Sequence, residues 1–156
     1  DTNFVGGSKY TEKELVDEIA STWGDILENR FVVLTGGEPL LQVTKTLLDS
    51  LTKRGFRTAV ETNGTIPVLC RFEWVCVSPK AGSIVRQHAA DEMKLVYPQA
   101  GLDPEDLREM ILASRYSIQP MDGPNLKQNT AAAIAYVLDH PWWRLSVQTH
   151  KILGIR

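Results

Sequence analysis

Four short polar segments each follow an apolar run. They are Thr35-Gly36-Gly37-Glu38-Pro39, Glu61-Thr62-Asn63-Gly64, Ser78-Pro79-Lys80 and Gln119-Pro120-Met121-Asp122. A carboxylate at Glu61, with Asn63 two residues on, can accept from a hydroxyl or an amine. Lys80 can hold a carboxylate or phosphate as a point charge. Gly36 and Gly37 carry no Cβ, so a ligand can approach the backbone there. A helix starting beyond them would offer free N–H groups and positive potential. Gln119 and Asp122 matter only if they share a rim with these groups. Each segment also has a plainer use: a tight turn, a solvated strand end, a surface lysine, or the turn chemistry of Met121-Asp122-Gly123-Pro124.

The remaining reactive residues suggest little. Cys70 and Cys76 are spaced C-x5-C with no histidine at ligand spacing, and His88, His140 and His150 are scattered. No zinc site or complete iron–sulfur site follows from local ligands, so the cysteines read as two buried thiols. Trp142 and Trp143 could stack on a flat ligand or pack beneath the last strand.

Alternating helices and strands must position these segments. Thr11 and Glu14 form a capping box, and Leu15, Val16, Ile19, Ala20, Trp23 and Leu27 follow at helical spacing. FVVLT at 31–35 suits a strand covered on both faces. Pro39 opens a helix whose stripe is Leu40, Leu41, Leu47, Leu48 and Leu51, stopped by Gly55. Strands are expected at 57–62, 74–78, 93–97, 116–119 and 144–149, with helices at 104–113 and 129–138. Six strands with intervening helices imply parallel crossovers, hence an α/β sheet or partial barrel with its chemistry at the carboxyl ends of the strands. The chain opens on a loop and a helix, so a strand that would normally precede that helix is expected to be missing.

Composition bounds the function. The chain has 156 residues, 43% of them hydrophobic and 23% charged, as in a single soluble globular domain spanning 1–156. A net charge of −2 argues against a broad nucleic-acid surface. The apolar stretch Ala131–Leu138 is far below the ~20 residues of a membrane span. No basic-then-apolar leader opens the chain, which points to a cytoplasmic protein.

TGGEP at 35–39 resembles a motif of the radical S-adenosylmethionine superfamily, where it contacts the methionine amino group of the cofactor. Together with ETNGT (61–65), CVSPK (76–80), QPMDGP (119–124), QTHK (148–151) and the opening DTNFVGG, the chain resembles the 7-carboxy-7-deazaguanine synthase family along essentially its whole length. That resemblance implies a partial (β/α) barrel of mostly parallel strands. Its cofactors would be S-adenosylmethionine, a [4Fe–4S] cluster and Mg2+. In that chemistry, a 5′-deoxyadenosyl radical abstracts hydrogen from 6-carboxy-5,6,7,8-tetrahydropterin, the ring contracts and ammonia leaves. Three cluster cysteines, together with the first strand and its loop, would precede Asp1.

By the resemblance, Thr2 would bind magnesium, and Thr35 the pterin. Gly37, Ser78, Pro79, Lys80 and Gln119 to Asp122, that is Gln119, Pro120, Met121 and Asp122, would line the S-adenosylmethionine site, with Glu61 and Asn63 on the same rim. The terminal carboxylate of Arg156 would approach the substrate. A reducing partner such as flavodoxin, and a homodimer, are family expectations. Two other readings stand beside this one: a noncatalytic remnant that binds S-adenosylmethionine or pterin without a cluster, and a glycyl-radical activating enzyme acting on a protein.

Overall fold

A computed structural model of the chain describes residues 7–155. Thr2 and Arg156 therefore lie outside the described residues. In chain order the elements are α1 (Glu12–Trp23), β1 (Phe31–Leu34), a 3₁₀ turn (Pro39–Leu41), α2 (Lys45–Lys53), β2 (Arg57–Thr62), β3 (Trp74–Val77), β4 (Ala89–Tyr97), α3 (Pro104–Met110), β5 (Leu112–Pro120), α4 (Leu126–Asp139), β6 (Trp143–Leu145) and α5 (Thr149–Leu153). The strands form one sheet in the order β1-β2-β3-β4-β5-β6. Every pairing is parallel, so all strand C-termini lie at one end of an open sheet.

One face of the sheet is apolar because alternate strand residues share a face. Val77, Met93, Leu95, Ile118 and Trp143 pack with Leu107 and Ile111 at α3 and Ala133 of α4. A second cluster joins Val16 of α1 to Leu47 and Leu51 of α2 and Phe56, with Val32 of β1 against it. The opposite face bears charge, and there Phe31 and Val33 remain 37% and 45% exposed. This corrects the expectation of a first strand covered on both sides: its outer face meets helices and its other face does not.

Several boundaries differ from the sequence reading, each for a local reason. α1 stops at Trp23, where Gly24 takes φ +82°, and Leu27 is 70% exposed. The expected single helix from Pro39 to Gly55 is broken. Glu38 caps the 3₁₀ turn with its carboxylate, and Thr44 caps α2 afresh by accepting from Leu47 N–H at 3.1 Å. β4 begins at Ala89 and β5 at Leu112, earlier than expected: Glu92 and Arg115 point to the charged face, while Asp91, on the other face, accepts from Val75 N–H at 2.7 Å at the start of β3. α3 correspondingly ends at Met110, and α4 runs from Leu126 to Asp139. The last strand is only Trp143–Leu145, and THKIL turns into α5. No helix separates β2 from β3 or β3 from β4, contrary to the expected alternation. Cys76 is buried as expected, but Cys70 is half-buried; Trp143 is buried beneath the sheet while Trp142 is 71% exposed.

A buried carboxylate joins the first two strand ends. Glu38 is 4% exposed. Both its oxygens accept from Thr62 Oγ1 at 2.8 Å, and one accepts from Asn63 N–H at 2.9 Å and the other from Leu40 N–H at 3.1 Å. Thr62 in turn gives its carbonyl to Ser78 N–H at 2.7 Å, tying in the end of β3. Gly64 closes the same turn at φ +80°, where an added Cβ would lie 2.9 Å from Val77 Cγ1. Replacing Glu38 by Ala strands these buried donors and should cost about 2–4 kcal/mol. Glu38→Gln keeps one accepting oxygen but sets an NH2 against either the Asn63 or the Leu40 N–H, so it should cost less than Glu38→Ala without being neutral. Urea unfolding of both variants checks this; equal stability to the wild type would show that the carboxylate does not hold the strand ends.

Candidate functional site

Parallel pairing brings the ends of β2, β3, β4, β5 and β6 around a polar cavity of about 340 Å³. Glu61, Ser78, Lys80, Lys94, Val96, Gln119 and the segment Ser146 to Gln148 with His150 line it. Of the residues expected from sequence, Glu61, Ser78, Lys80 and Gln119 thus meet in one place.

Lys94 is the cavity residue that the sequence reading passed over. It lies between Met93 and Leu95, both fully buried on the apolar face, so strand alternation sends its side chain to the charged face. A lysine between two core positions of a strand was the available signal. Its ammonium donates to Glu61 Oε1 at 2.7 Å. To do so it reaches across the end of β3, past the small residues Cys76 and Ser78. Burial opposes the Lys94 charge, but the bond to Glu61 and the acidic groups nearby outweigh it, and its pKa is raised. Lys80 shifts the other way: burial lowers its pKa and the like charge of Lys94 lowers it further. Lys80 Nζ donates to Ser78 Oγ at 3.2 Å. The site therefore holds two cations of unequal basicity beside one carboxylate.

The other expected residues are placed differently. Asn63 spends its side chain on its own turn, Oδ1 accepting from Thr65 N–H at 2.9 Å. Pro79 is fully buried and Pro120 is buried at the end of β5, so any part they take in a site is through backbone and shape. Met121 donates its N–H to the Tyr97 carbonyl at 2.7 Å and accepts from Asn129 Nδ2 at 2.8 Å, which fixes the exit from β5. Asp122 accepts from Gly123 N–H at 2.9 Å and forms an ion pair with Lys151 that lowers its pKa. Gly37 lies in the turn just before Glu38, and Thr35 lines a neighbouring cavity with Tyr10, Leu15, Pro39 and Gln42. Below Glu61, a third cavity is lined by Phe31, Val33, Trp74, Cys76, Glu92 and Arg115, with the Arg115 guanidinium 5.1 Å from the Trp74 ring centre.

Among the described residues no three His, Cys, Asp or Glu side chains group as metal ligands. Burial pushes the Cys76 thiol up to about 12, which disfavours the thiolate a metal needs. The described residues therefore do not fit an iron–sulfur cluster. They do fit an amino-acid moiety: Lys80 and Lys94 offer cationic donors to a carboxylate, and Glu61 and Gln119 offer acceptors to an amino group.

No family model matches the chain. A 7-carboxy-7-deazaguanine synthase from Bradyrhizobium diazoefficiens is 55% identical over 162 residues, covering all of this chain and 77% of that protein. The enzyme of that name from Caulobacter vibrioides is 47% identical over 161 residues, covering 99% of this chain and 76% of the relative. The crystal structure of QueE from Escherichia coli superposes with a TM-score of 0.70 at 28% identity, covering 89% of this chain and 64% of that one. The chain thus spans about three-quarters of these sequence relatives and less than two-thirds of the structural one. With more than half its residues identical to such an enzyme along its whole length, the chain belongs to the 7-carboxy-7-deazaguanine synthase family.

Proposed function

We propose that the chain carries the binding surface of a radical S-adenosylmethionine lyase that converts 6-carboxy-5,6,7,8-tetrahydropterin to 7-carboxy-7-deazaguanine with loss of ammonia, a step toward 7-deazapurines such as queuosine. The observation that carries this is the 55% identity to a 7-carboxy-7-deazaguanine synthase across the whole chain. A charged cavity at the carboxyl ends of parallel strands supports it. Neither a remnant without chemistry nor an activator of glycyl-radical proteins is favoured, because the relatives at this identity carry the name of the small-molecule synthase.

In this reading Lys80 and Lys94 hold the carboxylate of S-adenosylmethionine or of the substrate, and Ser78 and Gln119 orient their neighbours by hydrogen bonding. Glu61 keeps Lys94 charged and faces an amino group. Gly37, Pro79, Pro120, Met121 and Asn63 shape the rim through backbone positions, and Thr35 contacts the pterin from the adjoining turn. When bound, S-adenosylmethionine supplies the 5′-deoxyadenosyl group that takes a hydrogen atom from the substrate. The protein's own part is to bind, orient and exclude competitors for that reactive carbon. Magnesium at Thr2, substrate contact through Arg156, a reducing partner such as flavodoxin and a homodimeric assembly complete the proposal. No helix among the described residues is long and apolar enough to cross a membrane.

Anaerobic incubation of the full natural chain with S-adenosylmethionine, Mg2+, a reductant and the carboxypterin should give, by mass spectrometry, a product lighter than the substrate by one ammonia. Failure to consume the pterin under conditions where S-adenosylmethionine is cleaved would sink the assignment.

Lys94→Met should weaken S-adenosylmethionine binding about tenfold or more by removing a charge-assisted bond and leaving Glu61 unpaired. Calorimetry would read this, and unchanged affinity would remove Lys94 from the site. Lys80 must be protonated to hold an anion, and its pKa lies below that of an ordinary lysine. Affinity should therefore fall with rising pH before ordinary lysines titrate, and Lys80→Arg should move that fall to higher pH.

A further inference from the structure

The wall of the cavity beside β6 is made of chain that the core does not hold. The last tie to the sheet is Ser146 N–H donating to the Ile118 carbonyl at 2.8 Å. Beyond it, the backbone bonds among the described residues of this segment are local, as from Thr149 N–H to the Val147 carbonyl and from Ile155 N–H to the His150 carbonyl. α5 has no buried residue and no side-chain cap at its start, and Ile152 is 73% exposed. Yet Gln148 and His150, from this same segment, face into the cavity with Lys80 and Lys94. The ion pair that links α5 to another element among the described residues is Lys151 with Asp122, in the turn between β5 and α4. Asp122 is held ready by the Gly123 N–H, 2.9 Å away.

We infer that Lys151 is a positioning residue: by pairing with Asp122 it latches the C-terminal segment across the cavity mouth, so that Gln148 and His150 form one wall of the binding site. The inference rests on the proposed function for what the site binds, but not for the latch itself. It gives Asp122 an indirect part, since its carboxylate is engaged by Lys151 and the turn rather than by the cavity. Both partners are about half exposed, so the pair is screened and reversible. A reversible tie suits a wall that must open for ligand entry and close for binding. An exposed pair of this kind shifts an open–closed balance by roughly two- to fivefold.

Hydrogen exchange of the amides from 148 to 155 tests the latch in the full chain. Lys151→Met and Asp122→Asn should each speed exchange there about two- to fivefold, with the sheet amides unchanged. The charge swap D122K/K151D should restore protection. Raising salt should speed exchange in the wild type and leave Lys151→Met unaffected. In turnover, Lys151→Met should raise KM for the carboxypterin by a similar factor while kcat changes less, a split that general destabilisation would not produce. Unchanged exchange in both single variants, or a swap no better protected than either, would overturn the latch. If exchange responds as stated but the wild type turns over no carboxypterin, the functional reading falls and the latch stands.

Discussion

A carboxylate removed from water must be surrounded by donors, and Glu38 is satisfied from two neighbouring strand ends at once. The turn leaving β1 is thereby fastened to Thr62 and Asn63 at the end of β2. Thr62 passes the constraint on through its carbonyl to Ser78 at the end of β3. Glu61 lies one residue before this node, and Lys80 two residues beyond the point it fixes. The spacing of the charged groups in the cavity thus depends on a residue that does not line it.

The second organising feature is the difference between the two faces of the sheet. Helices pack on one face against its Val, Met, Leu and Ile side chains, which supplies the apolar burial that stabilises the fold. The other face carries Glu61, Cys76, Glu92, Lys94, Ser117 and Gln119 on neighbouring strands. Charges there would be costly alone, and they are paired: Lys94 with Glu61, and Glu92 with Ser117 Oγ at 2.6 Å. Lys80 and Lys94, with pKa shifts in opposite directions, offer two cationic donors in the cavity beside Glu61.

Much of this was legible from the chain. Polar turns after apolar runs located the strand ends, and the expected parallel order holds even where no helix separates β2 from β3 or β3 from β4. The capping box at Thr11 and Glu14 formed as its pattern predicts, because such a cap needs only local backbone geometry. Less legible were strand starts that contain charged residues, since Glu92 and Arg115 look like loop until their face of the sheet is known to line a cavity, and Asp91 until it is seen to accept from Val75 N–H. The break at residues 42–44 was hidden as well, because the leucines on either side of it keep helical spacing.

Local chemistry, then, settled the elements and the identity of the rim residues Glu61, Ser78, Lys80 and Gln119, because alternation, capping and turn preference act over a few residues. Folding in three dimensions settled which of them meet. Glu38 with Thr62, Lys94 with Glu61 and Lys151 with Asp122 are separated by 24, 33 and 29 positions. Contacts at such separations arise from strand register and crossover path, which leave no periodic trace in the sequence. The same reason explains why Thr35 faces a neighbouring cavity although its motif adjoins the others at one end of the sheet.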